Sequence, residues 1–586
     1  MGEERAYLGV DRSLTGRRWH GPAPDLARAA EALAQATGQP LPLCAVLARA
    51  GVPAAESAAY LDPKLRDTLP DPRSLRDMER AAARFLEAAR RGERIAIFAD
   101  YDVDGGASAA LLLDWLHRMG RQATLYVPDR IEEGYGPNVP AMTQLAAAHE
   151  LIVCVDCGTL SHDPIAAAAE AGATVLVLDH HLAGETLPPA HAVVNPNRQD
   201  EVSGLGHLCA AAVVFLMLVE TGRQLRGTGT AGPDLMAMLD LVALATVADV
   251  APLRCLNRAL VRSGLHRMAR RERPGLVALA DTARLSRAPD AGALGFALGP
   301  RINAGGRVGK ADLGARLLAA RDPEEAHAIA ARLEALNEER RAIEAAVRAA
   351  ALQQAEARGL DAPLVWAAGE GWHPGVVGIV AARLKEATGR PAVVIGLDGD
   401  EGKGSGRSVS GVDLGAAVQR LAAEGLLLKG GGHRMAAGLT VARTALDPAM
   451  ARLAELLARQ GAGTEGAASL RLDGLLMPQA ARTELVEALE TAGPYGAGAP
   501  APRFAFPALA VRHARRVGET HLKLTLEDDT GARLSAIAFG AFETALGPRM
   551  EGHGGARFHV AGRLEINSWQ GRSTVQLRLD DAAEAR

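Results

Sequence analysis

The chain has 586 residues, of which 48% are hydrophobic and 23% charged, with a formal net charge of −4. That length leaves room for several domains of about 100 to 200 residues, and that composition lies far from the low-hydrophobicity, high-charge corner where chains stay disordered. The slightly negative balance excludes a protein held on polyanions by global charge, so any nucleic-acid contact must come from local basic patches.

Charges interrupt every apolar stretch well before the roughly 18 residues a membrane-spanning helix needs, and MGEERAYLGVDR has no apolar signal core. A cytoplasmic protein without membrane contact is expected. Five scattered cysteines (Cys44, Cys154, Cys157, Cys209, Cys255) argue against a disulfide framework. Cys154 and Cys157 form a CxxC, but inside the strand-like run LIVCVDC rather than at a helix start, where a thiol would be activated.

Residues 1–90 read as a helical segment punctuated by Pro53, Pro63, Pro70 and Pro72, with an amphipathic stretch from Asp77 to Arg91. From 94 to 250, the apolar runs IAIFAD, ATLYVPD, LIVCVD and TVLVLD alternate with Ala-rich helical ones. Continuous apolar strands separated by helices predict a parallel sheet covered on both faces. Residues 323–359 carry no proline after Pro323 and set Ile329, Leu333, Leu336, Ile343 and Val347 on one face, which predicts a connector helix about 50 Å long. The strands LVWAA (364–368) and AVVIG (392–396) open a second α/β region. From 468 the short alternating segments HLKLTLED, ARLSAIAF, ARFHVAGRLE and TVQLRLDD predict a small β-barrel. The expected organisation is thus an N-terminal segment (1–90), a first α/β domain (91–320), a connector helix (321–360), a second α/β domain (361–462) and a barrel (468–586).

The chemistry concentrates at strand ends. IAIFA runs into Asp100, LIVCV into Asp156 and TVLVL into Asp179. Ligands of open α/β sheets bind outside the carboxyl ends of the strands, so these acids are expected to converge in one crevice. In DYDVDGG, Asp100, Asp102 and Asp104 would project to one side of an extended segment before Gly105 and Gly106 open a helix. Asp179 continues into His180 and His181, and LDLVALATVADV ends at Asp249, while Asp240 in the same run reads as helical and structural. A lone strand-terminal Asp is ordinarily a cap or turn residue. Six carboxylates and two imidazoles on one rim are different, because they repel one another unless cations neutralise them. The donor count suggests two ions sharing a bridging carboxylate, with Asp156 the candidate bridge. Carboxylate and imidazole without thiolate suit Mn²⁺ or Mg²⁺, with zinc left open by ligand type. Two close ions activate a water and clamp attacking and leaving oxygens, the geometry of phosphodiester hydrolysis.

These residues carry a resemblance. DYDVDG, VDCGT, DHH and ALATVADV resemble the four motifs of the DHH phosphoesterase superfamily, and nearly the whole chain resembles its single-stranded-DNA exonuclease branch, the RecJ family. LGFALGPRINAGGRVG (294–309) is similar to that branch's motif before the connector helix. GEGWHPGVVGIVAARL, GKGSGRSV and GGGHRMAAG resemble a DHHA1-type domain, and EINSWQGRSTVQLRLDD resembles the last strands of an OB-fold barrel. The implied fold is α/β: a DHH-type parallel-sheet catalytic domain joined by a long helix to a DHHA1-type α/β domain, followed by an OB-fold. The resemblance assigns Asp100, Asp102, Asp104, Asp156, His180 and Asp249 to metal binding, with Asp156 also catalytic and Asp179 and His181 supporting or orienting. It also implies that Arg130, in PDRIEEGYG, holds the substrate's 5′ phosphate together with Ser405 and Arg407. Glycine-rich backbone, a hydroxyl and two guanidinium groups make a chemically sound phosphate cradle, although GSGRS by itself reads as a turn. Arg301, Asn303 and Arg307 read as contacts to the nucleic-acid backbone, and His433 as a phosphate contact or a turn cap. Where the family typically has PFGxGNP this chain has PYGAGAP, which puts a local contact of the missing Asn in doubt.

From residue 501 onward the chain holds 12 Lys or Arg against 10 Asp or Glu, so the barrel is modestly basic, with Trp569 and Phe539 as candidate stacking platforms. The implied activity is metal-dependent 5′→3′ degradation of single-stranded DNA to 5′ mononucleotides in recombination and repair. Single-strand-binding protein and a RecQ-type helicase are implied partners. A small-substrate phosphoesterase acting on nanoRNA or cyclic dinucleotides would share the first two domains but would not need the barrel. A non-catalytic replication-fork scaffold would be marked by lost metal ligands, and none is lost.

Overall fold

The computed structural model describes residues 5–129, 133–463, 468–569 and 572–585, and of Ser568, Trp569 and Arg572 only the backbone. They form two compact units: Leu69–Pro252 with Leu260–Glu465, and Met1–Thr68 with Leu253–Ala259 and Gly466–Arg586.

The first unit contains a five-stranded parallel sheet in the order Ala123–Tyr126, Ile95–Ala99, Leu151–Val155, Thr174–Leu178, Ala192–Val194. Ile95–Ala99 and Leu151–Val155 are buried along their whole length. This is why they read as unbroken apolar runs: both faces are covered. On one face Phe98, Ile152, Cys154, Val175 and Val177 meet Met142, Leu145 and Ile165 of the helices Val139–Ala148 and His162–Glu170. The helices Met78–Arg91, Val103–Arg118, Ala210–Gly227 and Leu239–Ala248 form a further layer, packed on one another. Asp240, on the first turn of the last of these, is 4% exposed. It accepts from Arg273 Nε at 2.7 Å, and the same guanidinium lies 3.5 Å from Asp114.

The connector helix spans Pro323–Arg358, 36 residues. It starts where Asp322 caps the amides of Glu324 and Glu325 and Pro323 occupies the first turn, and it stops at Gly359, whose φ of 96° suits glycine. Beyond it lies a mixed sheet ordered Lys429–His433, Ala436–Ala442, Glu401–Arg407, Ala392–Asp398, Val365–Glu370, parallel only in the last pair. The turn-like glycine run GKGSGR is therefore a strand. Its glycines are required by packing rather than by φ: a Cβ at Gly402, Gly404 or Gly406 would fall 2.7 to 2.8 Å from side chains of Ile395 or Leu414.

In the second unit five strands, Phe504–Val517, His521–Glu527, Arg533–Ala538, Arg572–Glu584 and Arg557–Trp569, close into a barrel because the first also pairs with the last. Its interior is Phe504, Phe506, Leu522, Leu524, Phe558, Val560 and Leu577. The stretch 1–90 is divided between the units. Arg18–His20 pairs in parallel with Ser469–Arg471, and the fully buried Trp19 donates its indole N–H to Asp581 at 2.9 Å. Arg258, 2% exposed, ties Tyr60 to Ala492 through their carbonyls. Met78–Arg91 belongs with the parallel sheet instead.

Removing the cation from the Asp240–Arg273–Asp114 cluster would leave the buried Asp240 carboxylate without its ion-pair partner, while Asp114 keeps Arg118 at 3.0 Å. Arg273→Met is expected to lower stability by about 3 to 5 kcal/mol, with part regained in Arg273→Met/Asp240→Asn. Urea denaturation of both variants checks this, and equal midpoints would contradict it.

Candidate metal centre and the loops that build it

The strand-terminal acids meet at the carboxyl rim of the parallel sheet. Among the described residues, three groups of donors have ligand atoms within 4.8 Å of one another: Asp100, Asp102 and Asp156; Asp156, His180 and His181; Asp104, His180 and Asp249. Asp156 and His180 each belong to two groups. His180 Nε2 stands 3.2 Å from Asp156 Oδ1 and 3.7 Å from Asp104 Oδ2, and its Nδ1 stands 3.8 Å from Asp249.

The aspartates of DYDVDGG do not converge by extended alternation. The strand ends at Ala99 and the helix begins at Val103, so Asp102 is its N-cap and Asp104 lies in its first turn. Asp102 Oδ1 accepts from the amides of Asp104 and Gly105 at 2.9 and 3.1 Å. The competing force is the set of unpaired amides at a helix start, which a preceding Asp satisfies better than an extended chain could. Asp104 in turn accepts from the Ala210 and Ala211 amides at 2.7 and 2.8 Å, at the start of another helix. Asp156 adopts φ 59°, a left-handed turn that Asp tolerates better than most residues. Asp249 closes the Leu239–Ala248 helix.

Burial and the charges of Asp104, Asp102, Asp100 and Asp179 push the Asp156 carboxyl well above the usual carboxylate range. Burial, with Asp104 and Asp102, lifts Asp249 to about 8 against the opposing pull of His181. Asp104 is raised by burial against the opposing charge of His180. Asp179 goes the other way: although burial opposes it, hydrogen bonds from His181 and Thr159 hold it below the usual range. Burial alone would lower His181, but its 2.8 Å hydrogen bond to Asp179 and the charges of Asp179, Asp249 and Asp100 lift it to about 9. The buried Oδ1 of Asp156 makes no hydrogen bond among the described residues. An orphaned, buried carboxylate oxygen facing an imidazole nitrogen, ringed by other carboxylates, is a donor set that fits divalent cations.

Several residues of the site carried no motif. Asn195, fully buried, donates to Thr159 Oγ1 and to the His181 carbonyl, both at 2.8 Å, and Asn197 donates to the His180 carbonyl at 2.5 Å, so the pair clamps the His-His loop. Asn195 follows the strand Ala192–Val194 as the aspartates follow theirs, so extending that rule to asparagine would have found it. Tyr135, half exposed, donates its hydroxyl to the Asp156 carbonyl at 3.2 Å and lies 3.3 Å from His181 Nε2.

The expected substrate contacts separate. Arg130 lies outside the described residues. Ser405 and Arg407 share one face of their strand, with Arg407 NH1 2.9 Å from Ser405 Oγ, beneath the helix Pro374–Thr388. His433 is exposed at a strand end. Arg307 donates to the Gly375 carbonyl at 3.0 Å. Arg301 and Asn303 face the protein's own framework. Arg301 is 8% exposed and engages Glu334 of the connector helix and the Ala297 carbonyl, while Asn303 accepts from the Val103 amide at 3.0 Å. Their residue types suit phosphate, but the packing around them supplies other partners.

Known proteins share this domain organisation. The DHH family, N-terminal domain, matches residues 94–246, the DHHA1 domain 361–459 and the RecJ OB domain 472–581. The chain is 39% identical over 538 residues to the single-stranded-DNA-specific exonuclease RecJ of Dickeya dadantii, covering 89% of this chain and 92% of that protein. It is 37% identical to the protein of the same name from Escherichia coli, covering 90% and 93%. The crystal structure of RecJ in complex with Mn²⁺ from Thermus thermophilus superposes with a TM-score of 0.80 at 32% identity, covering 98% of this chain and 80% of that one; the Mg²⁺ complex from the same organism gives 0.73 at 30%, covering 96% and 78%. With all three domains matched in order and the likeness running through nearly the whole chain, the protein belongs to the RecJ family.

Proposed function

We propose that this chain is a metal-dependent exonuclease that degrades single-stranded DNA 5′→3′ to 5′ mononucleotides. The observation that carries the reading is the gathering of Asp100, Asp102, Asp104, Asp156, His180 and Asp249 at one sheet rim, with an Asp156 oxygen left without a hydrogen bond among the described residues. Those six residues would hold two divalent ions, Mn²⁺ or Mg²⁺, and Asp156, a member of two of the donor groups, would serve both. Bound there, the ions supply water activation and neutralise charge developing on the phosphodiester. Asp179 fixes the ring of His181 through Nδ1, leaving Nε2 toward Tyr135 and the rim. Arg407 and Ser405, joined by Arg130, hold the 5′ phosphate and so select the end of the strand, with His433 and Arg307 beside the path of the backbone. The barrel binds single strands. The identically named relatives and the barrel favour this reading over a hydrolase of nanoRNA or cyclic dinucleotides. Its setting is cytoplasmic recombination and repair, with single-strand-binding protein and a RecQ-type helicase as partners.

Asp156→Ala is expected to remove nuclease activity while leaving folding and single-strand binding in place. Turnover of end-labelled oligonucleotides with Mn²⁺ above about a tenth of wild type, a loss under about 1.4 kcal/mol of barrier, would contradict a bridging role. Arg407→Ala is expected to slow degradation of 5′-phosphorylated strands more than 5′-hydroxyl strands, because a charge-assisted contact is lost without touching a metal ligand. An equal loss on both would remove the residue from the phosphate pocket. In the barrel, Phe539 is 50% exposed, with the Arg578 guanidinium 5.2 Å from its ring centroid. Phe539→Ala is expected to weaken binding of long single strands by about 1 kcal/mol or more, the worth of one stacked base, and to spare turnover of short ones. Unchanged affinity for a long oligonucleotide would exclude it as a stacking platform.

A further inference from the structure

The helix that carries GPRINAGG, Gly299–Val308, backs the metal loop. A Cβ at Gly306 would fall 2.0 Å from the ring of Tyr101, the residue between Asp100 and Asp102, so only glycine lets the loop lie this close. On the same helix, Asn303 Oδ1 accepts the Val103 amide at 3.0 Å.

This bond completes the start of the Val103–Arg118 helix. The first four amides of a helix have no partner within it. Here Asp102 Oδ1 takes those of Asp104 and Gly105, and Asn303, from another element 200 residues away in sequence, takes that of Val103, while the Gly106 amide makes the first intrahelical bond, to the Asp102 carbonyl at 2.9 Å. The turn so fixed carries a member of two donor groups: Asp102 stands with Asp100 and Asp156, and Asp104 with His180 and Asp249. A shift of this turn moves both.

We infer that Asn303 is a positioning residue for both ion sites, acting through the Val103 amide and not through the substrate. The inference rests on the metal-dependent reading above. Partners that orient metal-binding groups from outside the coordination sphere typically change affinity by about 10- to 100-fold when removed. Because Asp102 and Asp104 share one turn, the loss falls on both ions together. An Asp249→Asn change, by contrast, touches the Asp104–His180 group alone.

The test titrates the full-length protein with Mn²⁺ by calorimetry and follows hydrogen exchange of residues 100–106 by mass spectrometry. Wild type is compared with Asn303→Leu, isosteric without an acceptor, and Asn303→Asp, which keeps one. The expected result is a roughly 10- to 100-fold weaker Mn²⁺ affinity at both sites and faster exchange of 100–106 in the leucine variant, with both restored toward wild type in the aspartate variant. Wild-type affinity in a folded leucine variant, loss at one site only, or equal loss in both variants would overturn it. If the leucine variant does not fold, Asn303→Ser, whose hydroxyl falls short of Val103, takes its place, and retained affinity there overturns the role equally. A wild-type protein that binds no Mn²⁺ would remove the metal-dependent reading itself. Two-ion binding in wild type with unaffected variants would remove only the role of Asn303.

Discussion

Six carboxylates crowded at one sheet rim repel one another, and much of the surrounding backbone is arranged by how each is relieved. Asp104 receives two amides from the start of a helix, and Asp102 caps its own. Asp179 gathers the amides of Thr159, His180 and His181 together with the His181 ring, and is driven down in pKa. Asp156, at the centre, has an oxygen without any such donor. Asp102, Asp104 and Asp179 are thus supplied with donors by the protein, whereas among the described residues the buried Oδ1 of Asp156 has none. Moving positive backbone dipoles onto the supporting acids keeps the rim assembled without filling the place a cation would take.

Much of this was legible in the sequence because two signals coincide there. Continuous apolar runs identify buried parallel strands, and a polar residue ending each run falls on the shared rim. Asp240 and Asp249, nine residues apart, were separable on the same grounds: one lies within the apolar run and pairs with Arg273, the other ends it. What could not be read was the partner of each polar side chain. Arg301 and Asn303 have the chemistry of phosphate contacts, yet one meets Glu334 and the other a helix amide, because tertiary packing set those partners and leaves no periodicity. Glycine is scarce in strands, so GSGRS suggested a turn. In the fold its glycines make room for Ile395 and Leu414 while Ser405 and Arg407 take the opposite face.

The division of residues 1–90 was hidden for a related reason. Pairing of Arg18–His20 with Ser469–Arg471 is decided by register between segments some 450 residues apart, and a three-residue strand has no pattern of its own. Trp19 was the available clue. A large aromatic in a short polar context needs both a core and an acceptor for its N–H, and it finds the acceptor in Asp581.

That long-range pairing has a consequence for synthesis. A ribosome adds roughly 5 to 20 residues per second, so the strand around Trp19 emerges on the order of 20 to 90 s before its partner exists. Over that interval the entire parallel-sheet unit is made and can fold, while the opening residues wait with an unpaired strand and an exposed indole. The unit that contains Arg18–His20 is therefore completed after the parallel-sheet unit, and a chain not yet extended to Ser469 displays its incompleteness at that strand, where a chaperone or protease can read it.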